Sequence, residues 1–91
     1  MRHWWVYLIW GVDKTLYTGV TTNVQRRVYE HNTTTKGSRW AKAHRPVTLA
    51  WCACVGTQSD ALKLEYRIKQ LTKKEKLNIV KEKKELCTAV L

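Results

Sequence analysis

The 91-residue sequence has no phenylalanine, one proline, one methionine and only seven acidic residues. It also lacks a long apolar run. Its longest apolar segment, Trp4–Val12, has nine residues, which is too short to span a bilayer as a helix. Asp13 and Lys14 follow this segment, where a secretory signal would carry small residues for cleavage. We therefore expect a cytoplasmic protein.

Cysteine is scarce and is not arranged for metal binding. There are three cysteines and no Cys-x-x-Cys pair, which disfavours a zinc site. Cys52 and Cys54 lie two apart, so on a strand they share one face, where a disulfide between them has poor geometry. We expect buried thiols in a reducing compartment and no disulfide partner.

The chain shows no internal repeat and no linker, so residues 1–91 are expected to form one domain. The apolar content of 44% is ordinary for a globular protein and argues against a disordered tail. The aromatic residues are five tryptophans and four tyrosines. Most of the tryptophans lie in strand-like segments, where a core role is favoured over ligand stacking.

The charge is strongly unbalanced. Seventeen basic residues face seven acidic ones, for a net charge of +10, which favours a polyanionic partner. For the C-terminal lysines, a solvated charged surface explains the pattern equally well. A second group recurs at every third position, with no acid between Asn32 and Val47: Lys36, Arg39, Lys42 and Arg45. These four, together with Arg26, are predicted to bind nucleic acid.

Hydrophobic patterning predicts an α+β fold with one small sheet and helices around it, in the order β-β-α-β-α-α. The predicted strands are residues 4–10, 16–20 and 47–55. The predicted helices begin after caps at Asn23 and Thr57 and at about Lys74, and they end near His31, Thr72 and Lys83. Residues 33–45 are predicted to be a loop. The first strand is apolar on both faces, which predicts that it is buried on both faces or central in its sheet.

Five residues could together cleave a phosphodiester bond: Tyr7, Tyr17, Arg27, His31 and Glu65. Such a reaction needs a group that orients or deprotonates water, a cation for the phosphate, and usually a metal with its ligand. The tyrosine hydroxyls can bond water or phosphate, and Arg27 can grip phosphate oxygens. His31 could shuttle a proton or orient a tyrosine, and Glu65 could hold a metal.

Each of these residues also has an ordinary structural explanation. The tyrosines could be half-buried strand aromatics, and Arg27 could pair with Glu30. Glu65 could pair with Lys69 four residues along its helix. Only the combination favours a catalytic site, and the strand register that would bring both tyrosines to one face is not determined by the sequence.

The arrangement resembles the GIY-YIG nuclease superfamily, in particular its small single-domain bacterial, YhbQ-like branch. The two motifs appear as Trp5-Val6-Tyr7 and Tyr17-Thr18-Gly19, and Arg27 follows Tyr17 by ten residues. The resemblance extends over about residues 4–83. Its segments are LYTGVT at 16–21, RRVYEHN at 26–32, KGSRWAKAHRPV at 36–47 and LEYRIKQL at 64–71.

This resemblance implies a three-stranded antiparallel sheet and metal-dependent cleavage of nucleic acid, with DNA a more natural substrate than RNA. It implies that Tyr7 is the general base and that Tyr17 supports it or contacts the leaving side, although the sequence does not settle which tyrosine is the base. Arg27 would stabilise the phosphate with help from His31, and Glu65 would hold one Mg²⁺ or Mn²⁺.

Three hypotheses remain open from the sequence. The first is a metal-dependent endonuclease, with repair or recombination as its setting. The second is a nucleic-acid-binding module of the same fold with little or no catalytic activity. The third is a basic adaptor for an acidic protein.

Overall fold

The computed structural model describes residues 3–90, with side chains described as far as residue 82. The elements are β1 (Trp4–Trp10), β2 (Leu16–Thr21), α1 (Val24–Thr33), α2 (Arg39–Ala43), β3 (Thr48–Gly56), α3 (Gln58–Lys69) and α4 (Lys73–Val90). The predicted α+β class is confirmed, with an antiparallel sheet in the order β2-β1-β3. Over the described residues, no helix is long and apolar enough to cross a membrane.

Strand β1 is the centre of the fold. Four consecutive side chains are at most 2% exposed: Val6, Tyr7, Leu8 and Ile9. Because strand side chains alternate between faces, a run buried at every position requires cover on both faces. The prediction that β1 is buried on both faces or central in its sheet is therefore confirmed. Helix α3 packs against β1 and β2, and α4 packs against β3.

Both predicted helix caps are present. The Asn23 side chain accepts a hydrogen bond from the Arg26 backbone at 2.9 Å, and the Thr57 hydroxyl accepts one from the Asp60 backbone at 3.1 Å. Each bond satisfies a backbone N–H that would otherwise lack a partner in the first turn. Local sequence therefore determines where α1 and α3 begin.

The predicted loop at residues 33–45 is wrong in its second half, which contains the five-residue helix α2. The Ser38 hydroxyl caps this helix by accepting a hydrogen bond from the Ala41 backbone at 3.1 Å. Alanine, lysine and arginine, which favour helices, make up most of α2. The third strand begins at Thr48, one residue later than predicted.

The expectation of buried cysteine thiols holds for only one of the two described cysteines. Cys52 is buried opposite Tyr7, whereas Cys54 is exposed, and the two are not bonded to each other. The difference arises because Cys54 lies near the end of an edge strand, beyond the cover of the core. The third cysteine, Cys87, lies outside the residues whose side chains are described.

Candidate functional site

The register of the β1–β2 hairpin places both motif tyrosines on one face of the sheet. Tyr7 pairs with Gly19, and Tyr17 pairs with Ile9. Residues opposite each other in an antiparallel pair share a face, and residues two apart on one strand share it too. Tyr7 and Tyr17 are therefore diagonal neighbours on the same face, which resolves the question that the sequence left open.

Gly19 is required by the position of the Tyr7 ring. A Cβ atom at Gly19 would overlap Oη and Cζ of Tyr7 and would lie 2.9 Å from Cε2. The Tyr7 side chain thus crosses directly over the Gly19 backbone. The glycine of the second motif is explained by this close approach of a side chain, since a residue with a Cβ would displace the ring.

The Tyr7 hydroxyl is held by a buried histidine. Tyr7 Oη and His31 Nε2 are 2.7 Å apart, and His31 is fully buried. The Ser38 backbone N–H donates to His31 Nδ1 at 3.1 Å, so Nδ1 carries no proton. In a neutral imidazole the other nitrogen then holds the proton, and Nε2–H donates to Tyr7 Oη. This geometry favours orientation of Tyr7 by His31 over removal of its proton.

The electrostatics agree with a neutral His31. The pKa of His31 is lowered to about 4, mainly by burial and in addition by the positive charge of Arg27. Imidazolium in this position would place a proton on Nδ1, facing the Ser38 N–H. The ring is therefore neutral at physiological pH and keeps its role as a single donor to Tyr7.

Arg27 lies between the tyrosine and the loop that follows α1. Its guanidinium donates to Glu30 Oε1 at 3.0 Å and to the Lys36 carbonyl at 2.8 Å. Its positive charge also acts on the Tyr7 hydroxyl, whose pKa it lowers. These partners fix the guanidinium beside Tyr7, at the position where it could meet a phosphate oxygen.

The pKa of Tyr7 reflects the burial of its hydroxyl and the charges around it. The pKa of Tyr7 is raised to about 12, mainly by burial, with smaller contributions from Tyr17 and Glu65 and against the lowering effect of Arg27. The Tyr17 ring also lies 6.1 Å from the His31 ring, and the charge of Glu65 acts on the Tyr7 hydroxyl. The structure therefore brings all five predicted residues into one cluster, in which Tyr7 is a neutral hydroxyl at pH 7.

Glu65 lies at the outer edge of this cluster. Its side chain is 18% exposed, and Oε2 is 3.3 Å from Lys69 Nζ. The Lys69 ammonium also lies 6.0 Å from the centre of the Tyr17 ring. The ordinary i,i+4 ion pair considered from the sequence is therefore present.

The donor set around Glu65 decides which metals could bind. Within the part of the chain with described side chains, no group of three histidine, cysteine, aspartate or glutamate residues could hold a metal. A single carboxylate does not fit a zinc-type site, which needs three or four protein ligands. It fits Mg²⁺ or a similar ion, which keeps several waters and uses one or two carboxylates together with substrate phosphates.

An aromatic stack supports Tyr17 and was not predicted from the sequence. The rings of Tyr17 and Trp40 are stacked at 5.0 Å and 19°, and those of Trp40 and His44 at 4.3 Å and 10°. His44 Nδ1 is 2.7 Å from the Trp40 carbonyl, which accepts its N–H. Predicting α2 after Ser38 would have placed Trp40 and His44 one turn apart and revealed the stack.

The five residues predicted to bind nucleic acid fall into two groups. Four have exposed side chains: Arg26, Lys36, Arg39 and Lys42. Arg45 differs, because its guanidinium donates to the backbone carbonyls of His31 and Thr34. Arg45 thereby connects the C-terminal end of α1 to the segment that precedes β3. The guanidinium groups that make these bonds face the protein.

Comparison with known proteins agrees with this arrangement. Residues 3–78 match the model of the GIY-YIG catalytic domain. The UPF0213 protein YhbQ of Salmonella paratyphi B is 48% identical over 83 residues, which are 91% of this chain and 82% of that protein. The UPF0213 protein DP2720 of Desulfotalea psychrophila is 46% identical over 78 residues, covering 86% and 71%.

A solved structure is also similar. The solution NMR structure of the UPF0213 protein BH0048 from Bacillus halodurans has a TM-score of 0.56 and 31% sequence identity. The match covers 89% of this chain and 84% of that one. The α+β architecture described above is thus shared with an experimentally determined relative.

Proposed function

The chain belongs to the GIY-YIG family, and from this premise we propose that it is a metal-dependent endonuclease acting on DNA, with repair or recombination as its setting. One observation carries the proposal. The Tyr7 hydroxyl is held by the buried His31 and lies beside Arg27, in a cluster that also contains Tyr17 and Glu65. Such a cluster combines the groups that phosphodiester hydrolysis requires.

Arg27 is proposed to bind the scissile phosphate. Its planar guanidinium can form two parallel hydrogen bonds to phosphate oxygens. In the protein alone, Glu30 and the Lys36 carbonyl occupy part of this donor set. A phosphate that takes the place of the Glu30 carboxylate would come to lie next to the Tyr7 hydroxyl.

Tyr7 is proposed to be the general base, with Tyr17 beside it on the same face. The hydrogen bond from His31 Nε2 and the nearby charge of Arg27 both stabilise a phenolate, whereas burial opposes it. A pKa of about 12 keeps Tyr7 protonated at neutral pH. Tyr7 therefore needs further positive charge beside it before it can accept a proton from water.

Glu65 is proposed to hold one Mg²⁺ or Mn²⁺. A divalent ion there would supply positive charge for the phosphate and acidify bound water. It would also neutralise the Glu65 charge, which raises the pKa of Tyr7 in the protein alone. The exposed basic residues Arg26, Lys36, Arg39 and Lys42 are proposed to bind the nucleic-acid backbone, so that affinity falls with salt.

A cleavage assay with a matched carboxylate control tests the proposal. Single-stranded, duplex, flap and branched substrates are incubated with Mg²⁺, with Mn²⁺ or with EDTA. We expect Glu65→Ala to lower the cleavage rate by about 10²-fold or more. Glu82→Ala, which removes an exposed carboxylate from α4, should leave the rate within about twofold. Cleavage undiminished in Glu65→Ala would exclude the metal role and point to a contaminating nuclease.

The second candidate is a nucleic-acid-binding module without turnover. Its support is that Arg27 and Glu65 each already have an ion-pair partner within the chain. This candidate predicts that nucleic-acid binding survives Glu65→Ala and falls when Arg39 and Lys42 are both changed to Gln. It also predicts no metal-dependent cleavage of any substrate by the unmodified protein.

A further inference from the structure

Helix α3 carries an exposed aromatic surface next to the candidate site. Leu62 and Tyr66 are 46% and 67% exposed, and they lie one helical turn apart, so their side chains are neighbours. The opposite side of α3 packs inward through Ala61 and Ile68, which are buried. The Leu62–Tyr66 pair is therefore not part of the core.

An open groove of about 640 Å³ runs along this surface. The described residues that line it are apolar, polar or basic, and none of them is acidic: Gln58, Ser59, Leu62, Lys63, Tyr66 and Arg67. Successive helix residues are rotated by about 100°, so the row of Leu62 and Tyr66 lies beside the row of Glu65 and Lys69. The groove therefore lies on the face of α3 next to the proposed metal ligand, Glu65.

We propose that this groove binds an unpaired stretch of the substrate, with a base stacked on Tyr66 and phosphates at Lys63 and Arg67. This inference rests on the proposed function, because the groove adjoins Glu65. The substrate would then carry a single-stranded segment beside the cleaved bond. A base in a duplex has both faces covered by its neighbours, whereas an unpaired base offers a face to an exposed aromatic ring.

Charge complementarity favours nucleic acid over the other possible occupants. Lys63 and Arg67 line the groove together with the Tyr66 ring, and none of the described lining residues carries a carboxylate. Aromatic stacking combined with flanking cations is the usual basis of binding to single strands irrespective of sequence. A second copy of this chain would bring its own excess of positive charge, which is +10 for each molecule, against Lys63 and Arg67.

Fluorescence anisotropy in EDTA tests the groove apart from catalysis. The probes are a labelled oligothymidine of about 15 nucleotides and a duplex of the same length. Tyr66→Ala should weaken oligothymidine binding about tenfold and duplex binding by less than about twofold. Tyr66→Phe should bind like the unmodified protein. Tyr29→Ala is the matched control, because Tyr29 is a 63% exposed tyrosine on α1, and it should have no effect.

The two cations are tested through salt dependence. The double substitution Lys63→Gln and Arg67→Gln should lower the slope of log affinity against log salt by about 1.4 for the single strand, or about 0.7 for each lost phosphate contact. Lys73→Gln with Lys74→Gln removes two exposed lysines from α4 and should leave the slope unchanged.

Several results would overturn the inference. Equal weakening of oligothymidine binding by Tyr66→Ala and Tyr29→Ala would do so, as would equal weakening of duplex and single-strand binding by Tyr66→Ala. A change confined to self-association, measured by sedimentation, would assign the surface to a second copy. Loss of oligothymidine binding in Tyr66→Ala without any cleavage by the parent protein would refute the endonuclease and keep the groove. Cleavage by the parent protein together with unchanged oligothymidine binding in Tyr66→Ala would keep the endonuclease and refute the groove.

Discussion

The candidate site has two halves that differ in burial and in bonding. The buried half consists of Tyr7, His31 and Gly19, which pack against one another at the centre of the fold. His31 is fully buried and Tyr7 is 2% exposed. The open half consists of Glu65 and Lys69 on α3, with side chains 18% and 48% exposed. Its main described contact is one ion pair.

This difference separates orientation from recognition. In the buried half, the protein fixes the Tyr7 hydroxyl before any substrate arrives, through packing over Gly19 and the bond from His31. Such preorganisation avoids an entropic cost at the moment of reaction. In the open half, a partly exposed carboxylate keeps room for a hydrated ion and a phosphate. Substitutions in the two halves should therefore differ in kind as well as in size.

Gly19→Ala should have the largest effect, because it breaks the buried half. The new methyl group would collide with the Tyr7 ring, which is 2% exposed and hydrogen-bonded to His31. Overpacking of this kind lowers the free energy of unfolding by about 1–3 kcal/mol. Displacement of the Tyr7 hydroxyl should also abolish cleavage. Urea denaturation and the cleavage assay measure the two effects.

A double-mutant cycle identifies the cause of the Gly19→Ala effect. Tyr7→Leu shortens the side chain that the methyl group meets. The loss of stability in the double mutant should therefore be smaller than the sum of the two single losses by about 0.5–3 kcal/mol. Strictly additive losses would show that the Tyr7 ring is not what Gly19 accommodates.

The pH dependence of stability should come next, because it changes the free energy of unfolding but leaves the site intact at neutral pH. The pKa of His31 is lowered from 6.5 to about 4. Above pH 6.5 the ring is neutral in both folded and unfolded chains, and this contribution to stability is fully present. As the pH falls from 6.5 to 4, the unfolded chain takes up a proton that the folded chain refuses. The free energy of unfolding should fall through this window, by about 3 kcal/mol in total.

His31→Gln isolates this contribution, since it removes the titrating ring from the buried half. The variant should show a flatter profile of unfolding free energy between pH 6.5 and 4.5. The carboxyl groups of Asp13, Glu30 and Glu75, whose pKa values are lowered from 3.8, 4.5 and 4.5, are present in both proteins, so the difference between the two profiles reports His31. An unchanged profile in the variant would contradict the role assigned to His31.

Lys69→Met should have the smallest effect, because it alters only the open half. It removes an ammonium that lies 3.3 Å from Glu65 and competes with a metal ion for the carboxylate. Half-exposed pairs of this kind contribute about 0.5 kcal/mol. The Mg²⁺ concentration for half-maximal cleavage should fall about twofold, while Lys73→Met should leave it unchanged. A rise in that concentration would show that Lys69 assists the site.

Much of the fold could be predicted because its signals are local. The continuous apolar run of β1 predicts a strand that is buried on both faces or central, and the caps at Asn23 and Thr57 predict where two helices begin. Helix α2 escaped prediction because it is five residues long and lies among threonines, glycine and charged residues. Because α2 was not predicted, the stack of Trp40 on Tyr17 was not predicted either, since it depends on the helical position of Trp40.

The sequence by itself determined the set of five candidate residues and their order along the chain, since motif spacing is a property of the chain. Only the tertiary structure decided how they act on one another. The hairpin register set the two tyrosines on one face, and the Ser38 backbone N–H set the tautomer of His31. Both depend on partners distant in sequence, because burial and hydrogen-bond geometry are decided by what the folded chain brings together.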